Sequence, residues 1–183
     1  MYSIHKTEHI RFITAIILLT VLIPVLSASS FDDLKTKTGE GKTITFPGDF
    51  LDGDSAIFAF VLSDSREGGE RQQQELLLWH QQLISSPMYD PSVQIYHLPV
   101  IAGAPGFVKG FIRNGLAKTY SQTVSEENIA VLFVKDAEKF AKEAGLPFGQ
   151  EAVVAVVDSG GDVKGWVQGE FTSRKLDEIF SLL

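Results

Sequence analysis

The chain of 183 residues contains no cysteine, and that absence removes several kinds of chemistry at once. No thiolate is present to act as nucleophile, redox centre or soft metal ligand, and no disulfide can brace the fold. A cysteine-linked lipid anchor is excluded for the same reason. Other signatures are missing too. There is no G-x-S-x-G elbow, no H-E-x-x-H pair and no P-loop lysine. The acidic stretch Asp49, Asp52 and Asp54 lacks EF-hand spacing and its bidentate glutamate, so it reads as a turn of solvated carboxylates. Basic residues are few, 16 against 23 acidic ones, for a net charge of −7. Such a surface repels phosphate backbones, and nucleic acid is not an expected partner. No metal and no cofactor is expected either.

What is present is enough for one well-packed domain: 44% hydrophobic and 21% charged residues exclude a disordered chain. The first residues form a separate unit. Lys6 and Arg11 precede an apolar run over 12–26, and Ser27, Ala28, Ser29 and Ser30 follow it as small residues. This is the pattern of an export signal over 1–29. The run of about 15 residues is shorter than the ~20 of a membrane-spanning helix, so membrane contact is expected only if the segment is kept as an anchor. The expected location is periplasmic or otherwise exported.

Residues 30–41 are polar and read as an irregular lead-in to a domain over 42–183. Strand and helix patterns then alternate. Strands are expected at 42–46, at the continuous apolar run 56–62 (AIFAFVL), and at 93–101, 128–134, 151–157 and 163–168. Helices are expected at 70–84, from 103–106 onward, at 136–144 and at 172–183. The 158–162 segment, Asp-Ser-Gly-Gly-Asp, is a hairpin turn between the last two strands. Phe107, Val108, Phe111, Ile112 and Leu116 form an apolar stripe that normally packs inward, with a partner-binding helix as the alternative.

This order, β-β-α-β-α-β-α-β-β-α, resembles the thioredoxin-like superfamily. AIFAFVL, a loop and a long helix containing Trp79 look like the stretch that carries the redox motif in thioredoxins. Asp158, Gly161 and Gly169 match the D-x-x-G hairpin and terminal glycine that precede the family's last helix. The implied fold is an α/β three-layer sandwich with a mixed central sheet flanked by helices. Where thioredoxins carry Cys-x-x-Cys, however, residues 63–69 read Ser-Asp-Ser-Arg-Glu-Gly-Gly. The chain therefore resembles a cysteine-free branch: small periplasmic thioredoxin-like proteins of unassigned function and, more weakly, mitochondrial ATP synthase assembly factors. Family members also carry a cis-proline opposite the redox loop, and Pro147 is the nearest candidate, though it lies early.

The resemblance supplies no catalytic residue. His80 and His97 stand on a helix and a strand without an evident nucleophile or acid beside them, and read as structural or surface residues. The 63–69 loop is the place to look for function, because it runs from a central strand into a helix N-terminus, where free N–H groups favour anions. Ser63, Asp64, Ser65 and Arg66, with Pro147, are the candidate ligand-binding residues; the alternative, which ordinary capping chemistry favours, is a loop whose own Asp64, Ser65 and Glu67 satisfy the helix terminus. Three readings follow. The first is a non-catalytic interaction or assembly protein with a cell-envelope protein as partner. The second is a small anionic-ligand binding module at 63–69, and the third an enzyme working through carboxylates.

Overall fold

The computed structural model describes residues 31–183, and the expected export signal lies outside them. The strands are β1 (Leu34–Lys37), β2 (Thr43–Phe46), β3 (Ser55–Val61), β4 (Ile95–Ala102), β5 (Leu132–Val134), β6 (Val153–Asp158) and β7 (Val163–Gln168). The helices are α1 (Arg66–Ser85), α2 (Gly106–Tyr120), α3 (Ala137–Glu143) and α4 (Ser173–Leu182). Five strands form one mixed sheet in the order β5-β4-β3-β6-β7. β3 runs parallel to β4 and antiparallel to β6, so the uniformly apolar run stands at the centre and is buried along its whole length. A strand covered on both faces and both edges has no use for the polar alternation of an edge strand.

Alternate residues of β3 serve two cores. Phe58 and Phe60 join Phe46, Phe50, Tyr96 and Leu98 on the face covered by α3 and the β1–β2 hairpin. Ile57, Ala59 and Val61 meet Leu76, Trp79 and Leu83 of α1 and Ile179 of α4 on the other. A smaller cluster of Tyr120, Val124 and Ile129 seats the C-terminal part of α2 beside Leu77 of α1. Helices thus lie on both faces of a mixed sheet, as expected. Among the described residues no helix is long and apolar enough to cross a membrane.

Four local expectations are corrected. The lead-in over 30–41 is not wholly irregular, because β1 pairs antiparallel with β2. Its inward residues, Thr36 and Thr38, are polar, which hid the period of two; Thr36 Oγ1 donates to the Val131 carbonyl at 2.6 Å. The strand expected over 128–134 shrinks to β5, since residues 126–128 form a 3-10 turn and Ala130 crosses to pair with Thr38. The first long helix starts at Arg66, four residues early, and takes in both glycines. Finally, Phe107 and Phe111 of α2 do not pack inward: they are 89% and 84% exposed, and the residues that α2 buries are Ala117 and Tyr120.

One buried amide joins strand, helix and loop. Gln72 is fully buried in α1; its Oε1 accepts from the Leu62 N–H at 2.8 Å and its Nε2 donates to the Gly149 carbonyl at 2.8 Å. The Gly149 N–H donates in turn to the Leu62 carbonyl at 3.0 Å. Replacing Gln72 by leucine keeps the volume but strands a buried N–H and a carbonyl. Gln72→Leu is expected to cost roughly 2–3 kcal/mol in urea denaturation and to lower Tm by about 5–10 °C. A loss below about 1 kcal/mol would show that neighbouring groups take over these bonds.

Candidate functional site

A groove of about 820 Å³ opens at the carboxyl ends of the parallel strands. In open α/β sheets this is where ligands collect, because the strand ends and helix N-termini leave a crevice there. Val61 of β3 and Pro99, Val100 and Ile101 of β4 contribute to its floor. Ile112 and Leu116 of α2 and Phe148 add apolar walls, and Ser63, Asp64, Ser65 and Arg66 form part of the rim. Four of the five candidate residues therefore meet at one place. Pro147 does not: it borders a separate, smaller hollow with Gln150 and Gln168, and only Phe148 lines both. The peptide before Pro147 is trans, the cis bond among the described residues being Phe46–Pro47. Trp166 is also elsewhere, donating from Nε1 to the Gly145 carbonyl at 3.0 Å.

The rim loop satisfies itself. Ser65 is the N-cap of α1, with extended backbone, and its Oγ accepts from the Gly68 N–H at 3.1 Å. Ser63 Oγ donates to the Ser65 carbonyl at 3.0 Å and accepts from the Ser65 N–H at 3.2 Å. This fold-back explains Gly68, since a Cβ there would stand 2.4 Å from Ser63 Oγ and 2.9 Å from Ser65 Oγ. The Arg66 guanidinium is paired with Glu70 at 2.8 Å on an exposed turn, and that carboxylate raises its pKa. The serines and the arginine expected around an anion are thus bonded to their own helix turn. Asp64, Asp136 and Glu138 on the same rim face a single further cation, Lys135. An apolar floor inside a self-bonded rim suits a hydrophobic occupant better than a phosphate or carboxylate.

The two histidines are neither catalytic partners of this groove nor surface residues. His97 Nε2 and His80 Nδ1 lie 3.2 Å apart, with one ring donating and the other accepting. His97 is completely buried, and the Tyr120 ring stands 5.0 Å from it. Burial, and then the neighbouring His80, hold His97 at about 3, while burial also lowers His80. Neither lines the groove. Sequence spacing had no means of finding this pair, because one ring comes from α1 and the other from β4.

No protein-family model matches the sequence, and no curated protein matches it either. Solved structures do match in shape. The exposed lipoprotein thioredoxin Etrx1 of Streptococcus pneumoniae superposes with a TM-score of 0.51 at 13% identity, over 83% of this chain and all of that one. The fold is thioredoxin-like. A putative electron transfer protein of Aquifex aeolicus reaches a TM-score of 0.58 at 15% identity, covering 85% of this chain and 92% of its own. Yeast Sco1 with copper bound gives 0.54 at 16% identity, covering 84% and 91%. At such identities the likeness is one of fold alone, and the chemistry has to be read from the residues. On this thioredoxin-like scaffold the strand-to-helix loop after β3 holds serines, and the whole chain has no thiol.

The histidine pair makes a pH prediction. Both folded-state values lie below that of free histidine, so between about pH 6.5 and 3 the unfolded chain binds more protons. Stability therefore falls as pH is lowered through this window and is unaffected by the pair above it. By pH 4 the loss is expected to be on the order of 3 kcal/mol. In the His80→Leu/His97→Leu variant, denaturation midpoints should vary markedly less between pH 6.5 and 4. Equal slopes in both proteins would show that the pair does not titrate on unfolding.

Proposed function

We propose that this protein is a non-catalytic interaction or assembly protein of the cell envelope, built on the thioredoxin-like scaffold. The observation that carries this reading is the apolar groove at the end of β3 and β4, bordered by a loop whose polar groups are already bonded to each other. On α2, whose Ile112 and Leu116 line that groove, Phe107 and Phe111 stand in solvent one helical turn apart. Large exposed aromatics on a helix that also walls an apolar groove mark a surface that a partner would cover. The occupant we assign is an apolar polypeptide segment of a partner protein, flanked by a basic residue that would meet Asp64 and Glu138 on the rim. The export pattern over 1–29 supports a partner in the envelope. The lack of any thiol removes thiol–disulfide exchange as a reason for the contact.

The reading is tested with Phe107→Ser/Phe111→Ser in a tagged protein crosslinked within the envelope fraction. Both side chains are exposed, so stability should change by less than about 1 kcal/mol. The unsubstituted protein should yield one discrete crosslinked species, and the double variant at least fivefold less of it. Monomer alone in the unsubstituted protein, or an undiminished adduct in the variant, would overturn the assignment.

A further inference from the structure

On α2 a ridge stands beside the groove. Phe107, Phe111 and Lys118 are spaced four and seven residues apart, so they share one face of the helix, and all three are exposed. Ile112 and Leu116, which wall the groove, begin about 100° round the helix from Phe111. The helix is seated through Ala117 and Tyr120, so the two rings cannot turn into the groove of their own molecule. An occupant of the groove therefore comes from another molecule.

The charges on ridge and groove are opposite. Residues 91–125 contain no aspartate or glutamate in a chain with 23 acidic residues, and α2 carries Lys109, Arg113 and Lys118. None of these three forms an ion pair among the described residues. Lys109 Nζ lies over the Phe133 ring, 5.1 Å from its centroid, which leaves Lys118 as the cation in line with the exposed rings. On the rim of the groove the balance is reversed. Arg66 is paired with Glu70, and Asp136 Oδ1 accepts from the Lys139 N–H at 2.9 Å as the cap of α3. Asp64 and Glu138 are left without an ion pair among the described residues. Two rings followed by one lysine make the apolar stretch with a basic flank that this groove would take, and α2 itself supplies it. A ridge and its complementary groove on one helix are what a twofold contact needs, since each molecule then fills the other.

Taking the groove as the docking surface proposed above, we infer that its partner is a second copy of this chain. α2 of each molecule lays Phe107 and Phe111 in the other's groove, with Lys118 against Asp64 and Glu138. The protein purified from the envelope fraction is followed by sedimentation equilibrium up to about 500 µM, and by cosedimentation with phosphatidylglycerol vesicles. A monomer–dimer equilibrium is expected. Phe107→Ser/Phe111→Ser should raise the dimer dissociation constant at least tenfold. Lys118→Glu, and separately Asp64→Lys/Glu138→Lys, should raise it at least threefold. Joining all three charge substitutions should bring it back to within about twofold of the unsubstituted value, because opposite charges again face each other. Monomer alone throughout overturns the inference. So does a dimer that the double-serine variant leaves unweakened, or that the joined charge reversal fails to recover. Vesicle binding without a dimer, lost in the double-serine variant, assigns the ridge to lipid and overturns it too. A monomeric purified protein that still gives an envelope crosslink at a mass other than twice its own overturns the second copy alone, and the groove reading stands.

Discussion

The Gln72 side-chain amide is the contact on which the groove's geometry depends. It reaches from the second turn of α1 to the residue after β3 and to the loop before β6, bonding Leu62 and Gly149 at once. Three segments distant in sequence are thereby held in one register with no charge and no covalent link. Arg71, its neighbour, adds bonds to the carbonyl and side chain of Gln150. Trp79, two turns further along, donates from Nε1 to the Gly169 carbonyl at 2.9 Å. One face of α1 is therefore fastened to the end of the central strand, to the loop before β6 and to the end of β7. A chain without disulfides needs its polar contacts buried and paired in this way, because inside the protein each such bond is costly to lose.

That frame decides what the strand-to-helix loop can do. With α1 pinned close to the end of β3, the loop has only Ser63, Asp64 and Ser65 in which to turn. The two serine hydroxyls close it against Gly68. The helix N-terminus, an anion site in principle, is already capped, and Arg66 is bound to Glu70. What remains open is the apolar floor between β4, α2 and Phe148. The two ends of the sheet consequently differ in character. The carboxyl end is hydrophobic with a self-satisfied rim, while the hollow at the amino end is lined by Glu40, Asp49, Asp52 and Glu127.

Much of the fold was legible along the chain. The run 56–62 announced a central strand because β3 is apolar at every position, and the hairpin at 158–162 was plain from its turn chemistry. Asp158 Oδ1 accepts from the Gly160 and Asp162 N–H groups, and Gly161 has φ +87°. The loop worth examining was also legible, since strand-then-helix patterns mark a crevice. β1 was hidden because its inward residues are threonines whose burial depends on partners such as Val131, far off in the chain. The start of α1 was hidden because Gly68 and Gly69 read as a turn until Ser63 is seen folded back on them. For α2 the pattern misled: its apolar stripe is real, yet the helix is seated through Ala117 and Tyr120, leaving Phe107 and Phe111 in solvent.

The sequence by itself determined the absence of thiol chemistry, the alternation of strands and helices, and the acidic balance, because these follow from composition and local periodicity. The tertiary structure alone decided that His80 faces His97, that Gln72 ties Leu62 to Gly149, and that Glu40, Asp49, Asp52 and Glu127 line one hollow where β3 and β4 begin. Each of those facts joins residues from different elements. Their distances are set by how the sheet is crossed and covered, and nothing in the spacing along the chain encodes them.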